Sequence, residues 1–415
     1  MRGRGVLVLL AVLGALYAAP GAFAAEKPKK VPRPTEGGEF AFKVKEASPY
    51  SVKHVVVHYV TSGRDAVPAK DANGNDVPDY VEETGLAGDE AAGAFVTFGF
   101  KRLLPDTGGG NFKVDIYLKR LPQDLLGVAI PHAFGVGGGF MMLDTRLNPA
   151  KGRITVASLR HTVAHELFHM VQYSYVPNGD IPAWAAEGMA SAMAIYAFPF
   201  SQDKIQDFLV DLWLKTPWVS LYDERFGCAR CYGGAIWWRF MYQLEGRTIP
   251  EYMGRLFGYQ KSGQKILDGT QPLEETLKRY GHGGLHTSFT RFAVNLYEAG
   301  LRPAPLYGLR ASTKVQVSKV RVVRGLSTHY IPIAAPAGST GLRVAIASGG
   351  GPRPAVTLFT GGPKGRRFGG SQLQVINGKS YEFRFANDAE RKQNMLIVTS
   401  GRKDGVAYTI AYQSF

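Results

Sequence analysis

Along this chain the spacing of apolar residues changes character twice. His54-Val55-Val56-Val57-His58-Tyr59-Val60 is a short β-branched run, which predicts a strand. An Asn/Gly/Asp loop follows from Asp71 to Asp79. Helical periodicity then runs from about Tyr80 to Arg102, weakened by glycines in its middle. Phe112 to Leu118 alternates apolar and polar, as a half-buried strand does, and a glycine cluster at Gly135–Gly139 leads into a further strand at Phe140–Leu143. From Thr155 to Tyr175, Val156, Leu159, Val163, Leu167, Met170 and Val171 recur at helix spacing, and Pro177-Asn178-Gly179 stops the helix. Six more helical segments are expected: Trp184–Ala197, Ser201–Leu214, Gly233–Gln243, Pro250–Phe257, Leu273–Tyr280 and His286–Tyr297. Beyond Leu309 the texture becomes short apolar runs between Gly, Pro and Asp turns, from Val315–Val317 to Ala407–Tyr412. That spacing predicts a C-terminal β-sandwich. The chain therefore reads as α+β. Residues 53–305 mix strands and helices, with an α/β half at 53–176 and a helical half at 177–305. Residues 306–415 form the accessory β-domain.

The first segment decides the compartment. Met1-Arg2-Gly3-Arg4 is a basic start, Val6 to Ala19 is uncharged and apolar, and Ala22-Phe23-Ala24 is a small-x-small cleavage pattern. This predicts a signal peptide over 1–24, cut near Ala24, and a secreted protein, extracellular or periplasmic. No later stretch reaches the roughly 18 apolar residues of a spanning helix, so no stable membrane insertion is expected. Residues 25–36 are charged and proline-rich and read as an extended linker, and 25–52 as a linker or N-terminal extension. With 415 residues and 45 % hydrophobic content, the chain can bury a sizeable core. Two cysteines exclude a disulfide-built scaffold and a multi-cysteine zinc module. The formal net charge is +15, of which Arg2 and Arg4 leave with the signal peptide. A basic exported protein suits an anionic cell-surface polymer. No basic stretch is interleaved with aromatics, so nucleic acid is not an expected partner.

The chemistry concentrates in the helix at 155–175. His165-Glu166-Leu167-Phe168-His169 is an HExxH motif, and residues four apart share a helix face, so both imidazoles reach one ion. Zinc suits two neutral imidazoles and a carboxylate, with one position left open to water. Glu166 lies about 100° around the helix from His165. It therefore addresses the water rather than the ion, taking its proton and delivering it to a leaving amine. A third ligand is needed. Glu187 follows the Pro177–Gly179 turn in an otherwise apolar run, Ala183–Ala197, where an unpaired carboxylate is costly. A bound cation removes that cost. His161, one turn before His165, is the rival ligand. Three histidines on one straight helix cannot close a tetrahedral site, so His161 is read as an outer or surface group.

His165-Glu166-x-x-His169 followed by Glu187 resembles the gluzincin branch of zinc metalloproteases. The wider run HTVAHELFHMVQ, PAWAAEGMAS and YGGAIWWRF resembles a family of secreted bacterial metalloproteases, over roughly residues 54 to 300. The resemblance implies a zincin-like catalytic unit, with a twisted sheet, an active-site helix and a mainly helical lower half. It implies His165, His169 and Glu187 as zinc ligands and Glu166 as general base. Many gluzincins carry an aspartate four residues after the ligand glutamate; here that position is Ser191, so the group behind the first histidine differs. Gln172, three residues after His169, belongs to the resemblance and either steadies the site or is an ordinary polar helix residue. Tyr232 either donates to the developing oxyanion or is a half-buried tyrosine. In zincin folds the strand before the zinc helix forms the upper rim, where an extended peptide adds as a strand. That role is expected of Gly135–Leu143.

A second ion is expected upstream. Asp71, Asn73, Asn75, Asp79 and Glu82 occupy positions 1, 3, 5, 9 and 12 of a calcium loop, with the Val77 carbonyl at position 7. Asp76 stands where glycine is usual, and Asp tolerates the left-handed conformation better than most residues. The alternative is a metal-free turn. Cys228 and Cys231 are expected to form a local disulfide in an exported chain. The function expected from all of this is a secreted zinc-dependent metallopeptidase acting on protein or peptide substrates. The alternatives are a catalytically inactive exported zincin-like binding protein and a zinc hydrolase acting on cell-wall amides.

Overall fold

A computed structural model describes residues 31–106, 110–122, 125–132, 138–147, 155–177, 179–199, 204–223, 229–264, 266, 268–301, 303–349, 353–359, 363–364, 367–368, 372–374, 380–385, 394–401 and 405–415. The expected signal peptide lies outside these residues. The fold is α+β, in two compact units: Met1–Val210 with Glu224–Gly269, and Asp211–Asp223 with Thr270–Phe415. The break in contacts thus precedes the change of texture at 305/306, and two helices group with the C-terminal strands. No helix among the described residues is long and apolar enough to cross a membrane.

The first unit holds β1 (Tyr50–Ser51), β2 (Val55–His58), α1 (Asp79–Thr97), β3 (Val114–Lys119), β4 (Gly127–Pro131), β5 (Gly139–Asp144), α2 (Val156–Tyr175) and α3 (Ala183–Ala197). Helix α4 (Lys204–Lys215) leads out of it. The chain returns as α5 (Ala229–Gly233), α6 (Ala235–Leu244) and α7 (Thr248–Lys261). The sheet order is β1-β2-β3-β5-β4. β2, β3 and β5 run parallel, and β1 and β4 are antiparallel edges. Period-two alternation divides the sheet's side chains between two faces. Ile116 meets α1 at Gly88, where the packing is close: an added Cβ would lie 3.0 Å from Val55 and 3.4 Å from Ile116. Tyr117, Phe140 and Met142 face the other way and cluster with Leu121, Leu125 and Ile130.

Residues 31–49 cover that second face. They carry no helix or strand, as their proline content implies, but they are not the free linker expected from composition. Phe40 and Phe42 pack on the Tyr117 cluster. Arg33, only 2 % exposed, donates through Nε to the fully buried Asp106 (3.0 Å), which also meets Nε2 of His132 (2.8 Å). A second tie joins Glu46 to His58 Nδ1 (2.5 Å), with the His58 ring stacked on Tyr117. Local composition could not disclose these partners, which are contributed by distant loops and strands.

The second unit contains α8 (Thr270–Arg279), α9 (Gly284–Glu298), β6 (Leu309–Arg310), β7 (Gln316–Val317), β8 (Arg321–Val323), β9 (Ser327–Ala334), β10 (Gly341–Ser348), β11 (Ala355–Phe359), β12 (Pro363–Lys364), β13 (Arg367–Phe368), β14 (Gln372–Gln374), β15 (Ser380–Arg384), β16 (Asn394–Ser400) and β17 (Val406–Ser414). One sheet has the order β15-β10-β17-β7, with β8 also on β17. Another has the order β14-β11-β16-β9-β6, and β12 pairs with β13. Leu342, Val344 and Ile410 of the first sheet share a buried core with Ile331, Leu358 and Val398 of the second. Helix α9 joins this unit through Ala293, Val294 and Tyr297, which pack on Tyr330, Phe359 and Ile397. Of the α9 aromatics, Tyr297 packs on this sheet, whereas Phe289 and Phe292 pack on Trp213.

Candidate metal centre

Helices α2 and α3 build the site. Thr155 caps α2 by accepting the N–H of Ser158 (3.1 Å), and α2 is buried around nearly its whole circumference. Gly179 turns the chain with φ +68°, and α3 returns against α2. On α3, Trp184 stacks on Trp238 of α6 with ring centres 5.4 Å apart, and its indole N–H donates to the Asp268 carbonyl (2.8 Å). Gly188 is required beside them, because a Cβ there would sit 2.6 Å from Trp238. The turn bearing Glu187 is therefore wedged against α6.

These contacts bring His165, His169 and Glu187 together, each between 4 % and 7 % exposed. His165 Nε2 lies 3.1 Å from Glu187 Oε2 and 3.2 Å from His169 Nε2, and His169 Nε2 lies 3.6 Å from the same carboxylate oxygen. Ligands about 2.0–2.1 Å from a tetrahedral ion are roughly 3.3 Å from one another. The three atoms fit that spacing, and two imidazoles with one carboxylate form a donor set that a divalent transition ion accepts. Burial alone would raise the Glu187 carboxyl, but His169 and His165 hold it well below the usual range. Burial would lower His169, and Glu187 outweighs it, raising the ring to about 9. The outer ring nitrogens have partners too. His165 Nδ1 is 3.2 Å from Ser191 Oγ, and His169 Nδ1 is 2.8 Å from Gln172 Oε1.

Glu166 sits on the adjoining face of α2 and is 7 % exposed. Burial pushes its carboxyl up and Glu187 adds to the rise, against His165, His169 and the N–H of Ala129. Strand β4 crosses directly above it. A Cβ at Gly127 would lie 2.7 Å from Glu166 Cγ, so only glycine lets the strand pass this close. The Tyr173 hydroxyl donates to the Ala129 carbonyl (3.4 Å) and ties β4 to α2. Of the strand expected at the rim, Gly135–Leu143, the part from Gly139 belongs to β5, which is internal between β3 and β4, and Gly135 to Gly137 lie outside the described residues. The outer strand of the sheet beside the site is β4, and its Ala129 is engaged by Glu166 and Tyr173. This five-residue strand lacks a readable alternation and was missed in the sequence; its only signal is the apolar run after Gly127.

Tyr232, in α5, has its ring stacked on His165 at 5.6 Å. His161 is buried, with its ring centre 6.5 Å from that of His165, outside the trio. Burial and then His165 depress it to about 3. In the upstream loop, Asp71 accepts N–H groups from Gly74 (2.8 Å) and Asp76 (2.9 Å). The amides of Asn73 and Asn75 donate to the two Glu82 oxygens (2.9 and 2.8 Å), and the Ala72 N–H donates to Asp79 (2.8 Å). Val77 gives its N–H to Asn75 Oδ1 (2.9 Å), and Asp76 takes the left-handed conformation, φ +65°. The structure thus gathers the five oxygen side chains around one exposed turn. Cys228 lies outside the described residues, so its expected pairing with Cys231 does too.

No protein-family model matches the chain. No curated protein matches it either. Among solved structures, a family GH115 4-O-methyl-α-glucuronidase with specificity for decorated arabinogalactans aligns at 8 % identity and a TM-score of 0.14. That alignment covers 77 % of this chain and 54 % of the other. A similarity this low carries neither fold nor activity across.

Proposed function

We propose that the chain is a secreted zinc metallopeptidase of gluzincin type, with a zincin-like catalytic unit and a C-terminal β-sandwich accessory domain. The observation that carries the reading is the convergence of His165, His169 and Glu187 beside a buried Glu166, with the edge strand β4 above it. His165, His169 and Glu187 would hold the zinc, which when bound would supply Lewis-acid chemistry at the scissile carbonyl. Glu166 takes the proton of the attacking water and passes it to the leaving nitrogen, a relay that a carboxyl with a raised pKa suits. Tyr232 is the candidate donor to the developing oxyanion. The proposed substrate is a protein or peptide whose extended backbone lies beside β4, with Ala129 already held by Glu166 and Tyr173. The signal peptide directs export, where Cys228 and Cys231 pair and the basic surface meets anionic cell-surface polymers.

Digestion of casein and of peptidoglycan by the full chain, run side by side with zinc removed and restored, tests the reading. Casein cleavage that disappears with chelation and returns with zinc is expected. Release of peptidoglycan amides with casein left intact would assign the site to cell-wall amides instead. No turnover of either by the zinc-loaded chain would leave a binding protein.

Calcium completes the proposal, bound by Asp71, Asn73, Asn75, the Val77 carbonyl, Asp79 and Glu82 as a structural ion. The parent is expected to melt higher with calcium than without, and Glu82→Ala is expected to lose that increment. Identical melting of the parent in calcium and in chelator removes the calcium site.

A further inference from the structure

We infer that Gln172 is a positioning residue that sets which nitrogen of His169 faces the metal and holds the ligand-bearing turn of α3 in register with α2. This rests on the reading of the trio as a zinc site. Gln172 is 1 % exposed and lies one turn beyond His169 on α2. Its Nε2 donates to the Ala186 carbonyl at 2.8 Å. A backbone carbonyl only accepts, so the NH2 end of the amide must point to α3 and the oxygen end to His169. That oxygen lies 2.8 Å from His169 Nδ1, and it too only accepts. Nδ1 therefore carries the hydrogen, and in the neutral ring the lone pair is left on Nε2, the atom that lies 3.2 Å from His165 Nε2.

The second hydrogen bond does separate work. Ala186 immediately precedes Glu187, so one side chain links the second histidine to the turn that presents the carboxylate. Ser191 stands behind His165 but cannot play this part, because a hydroxyl both donates and accepts and leaves the tautomer open. The Nδ1 partners of both ligand rings are uncharged, and of the two only the Gln172 oxygen, which can only accept, dictates a tautomer.

The test uses zinc itself and the full chain. In the zinc-loaded parent, spectra of 15N-labelled histidine should place the His169 proton on Nδ1 and the metal on Nε2. The opposite assignment overturns the inference, however any variant folds. Gln172→Met keeps length and volume but removes both hydrogen bonds. It is expected to weaken zinc binding about 10- to 100-fold in a competition titration. Gln172→Glu keeps an acceptor oxygen at His169 but loses the donor to the Ala186 carbonyl, so it is expected to keep the His169 tautomer while binding zinc more weakly than the parent. Parent-like zinc binding by Gln172→Met overturns the positioning role while leaving the proposed function intact. A parent that binds no zinc removes both.

Discussion

Glu166→Gln is expected to abolish peptide hydrolysis, by on the order of 10³- to 10⁴-fold in kcat/KM, while the protein keeps its zinc. The amide is nearly isosteric with the carboxylate, so the tight passage of β4 over this side chain, set by Gly127, survives. Its oxygen can still accept the Ala129 N–H that the carboxylate accepts. What is lost is the ability to take a proton. Glu166 lies outside the trio that holds the ion, so zinc affinity should not move. Turnover and metal content measured on the same preparation separate the two roles. A variant that digests casein as fast as the parent shows that another group is the base.

Glu187→Gln is expected to act on the other half of the site and to lose zinc, not merely rate. The carboxylate lies within 3.6 Å of both ligand nitrogens and is the trio's anionic member. An amide is a poor ligand, and the trio would lose the charge that offsets a divalent ion. The loss should exceed the roughly 100-fold that follows from removing an outer partner of a ligand. A competition titration checks it. Parent-like affinity in Glu187→Gln would mean the ion is completed by some other group.

The legible parts of this chain were those written at short range. The sequence anticipated α2 and α3 closely: α2 through its helix spacing, α3 as an unbroken apolar run, and the turn between them through Pro177 and Gly179. The HExxH spacing and the lone carboxylate at Glu187 were readable for the same reason: two residues a turn apart, and a charge in an apolar run. The illegible parts depend on what meets what. Strand β4 is too short to show alternation, and its importance comes from lying over Glu166. Residues 31–49 look like a linker until Arg33 finds Asp106 and the two phenylalanines find Tyr117. Gln172 read equally well as ornament or brace, since Ala186, which fixes its amide, lies on another helix.

Elemental analysis of the purified full chain, set against the same chain carrying both His165→Ala and His169→Ala, weighs the central claim most directly. One zinc bound per parent molecule, and essentially none in the double variant, is the outcome required. A parent devoid of transition metal, or a double variant that holds zinc equally well, would mean that the two imidazoles and the Glu187 carboxylate meet for some purpose other than gripping a cation.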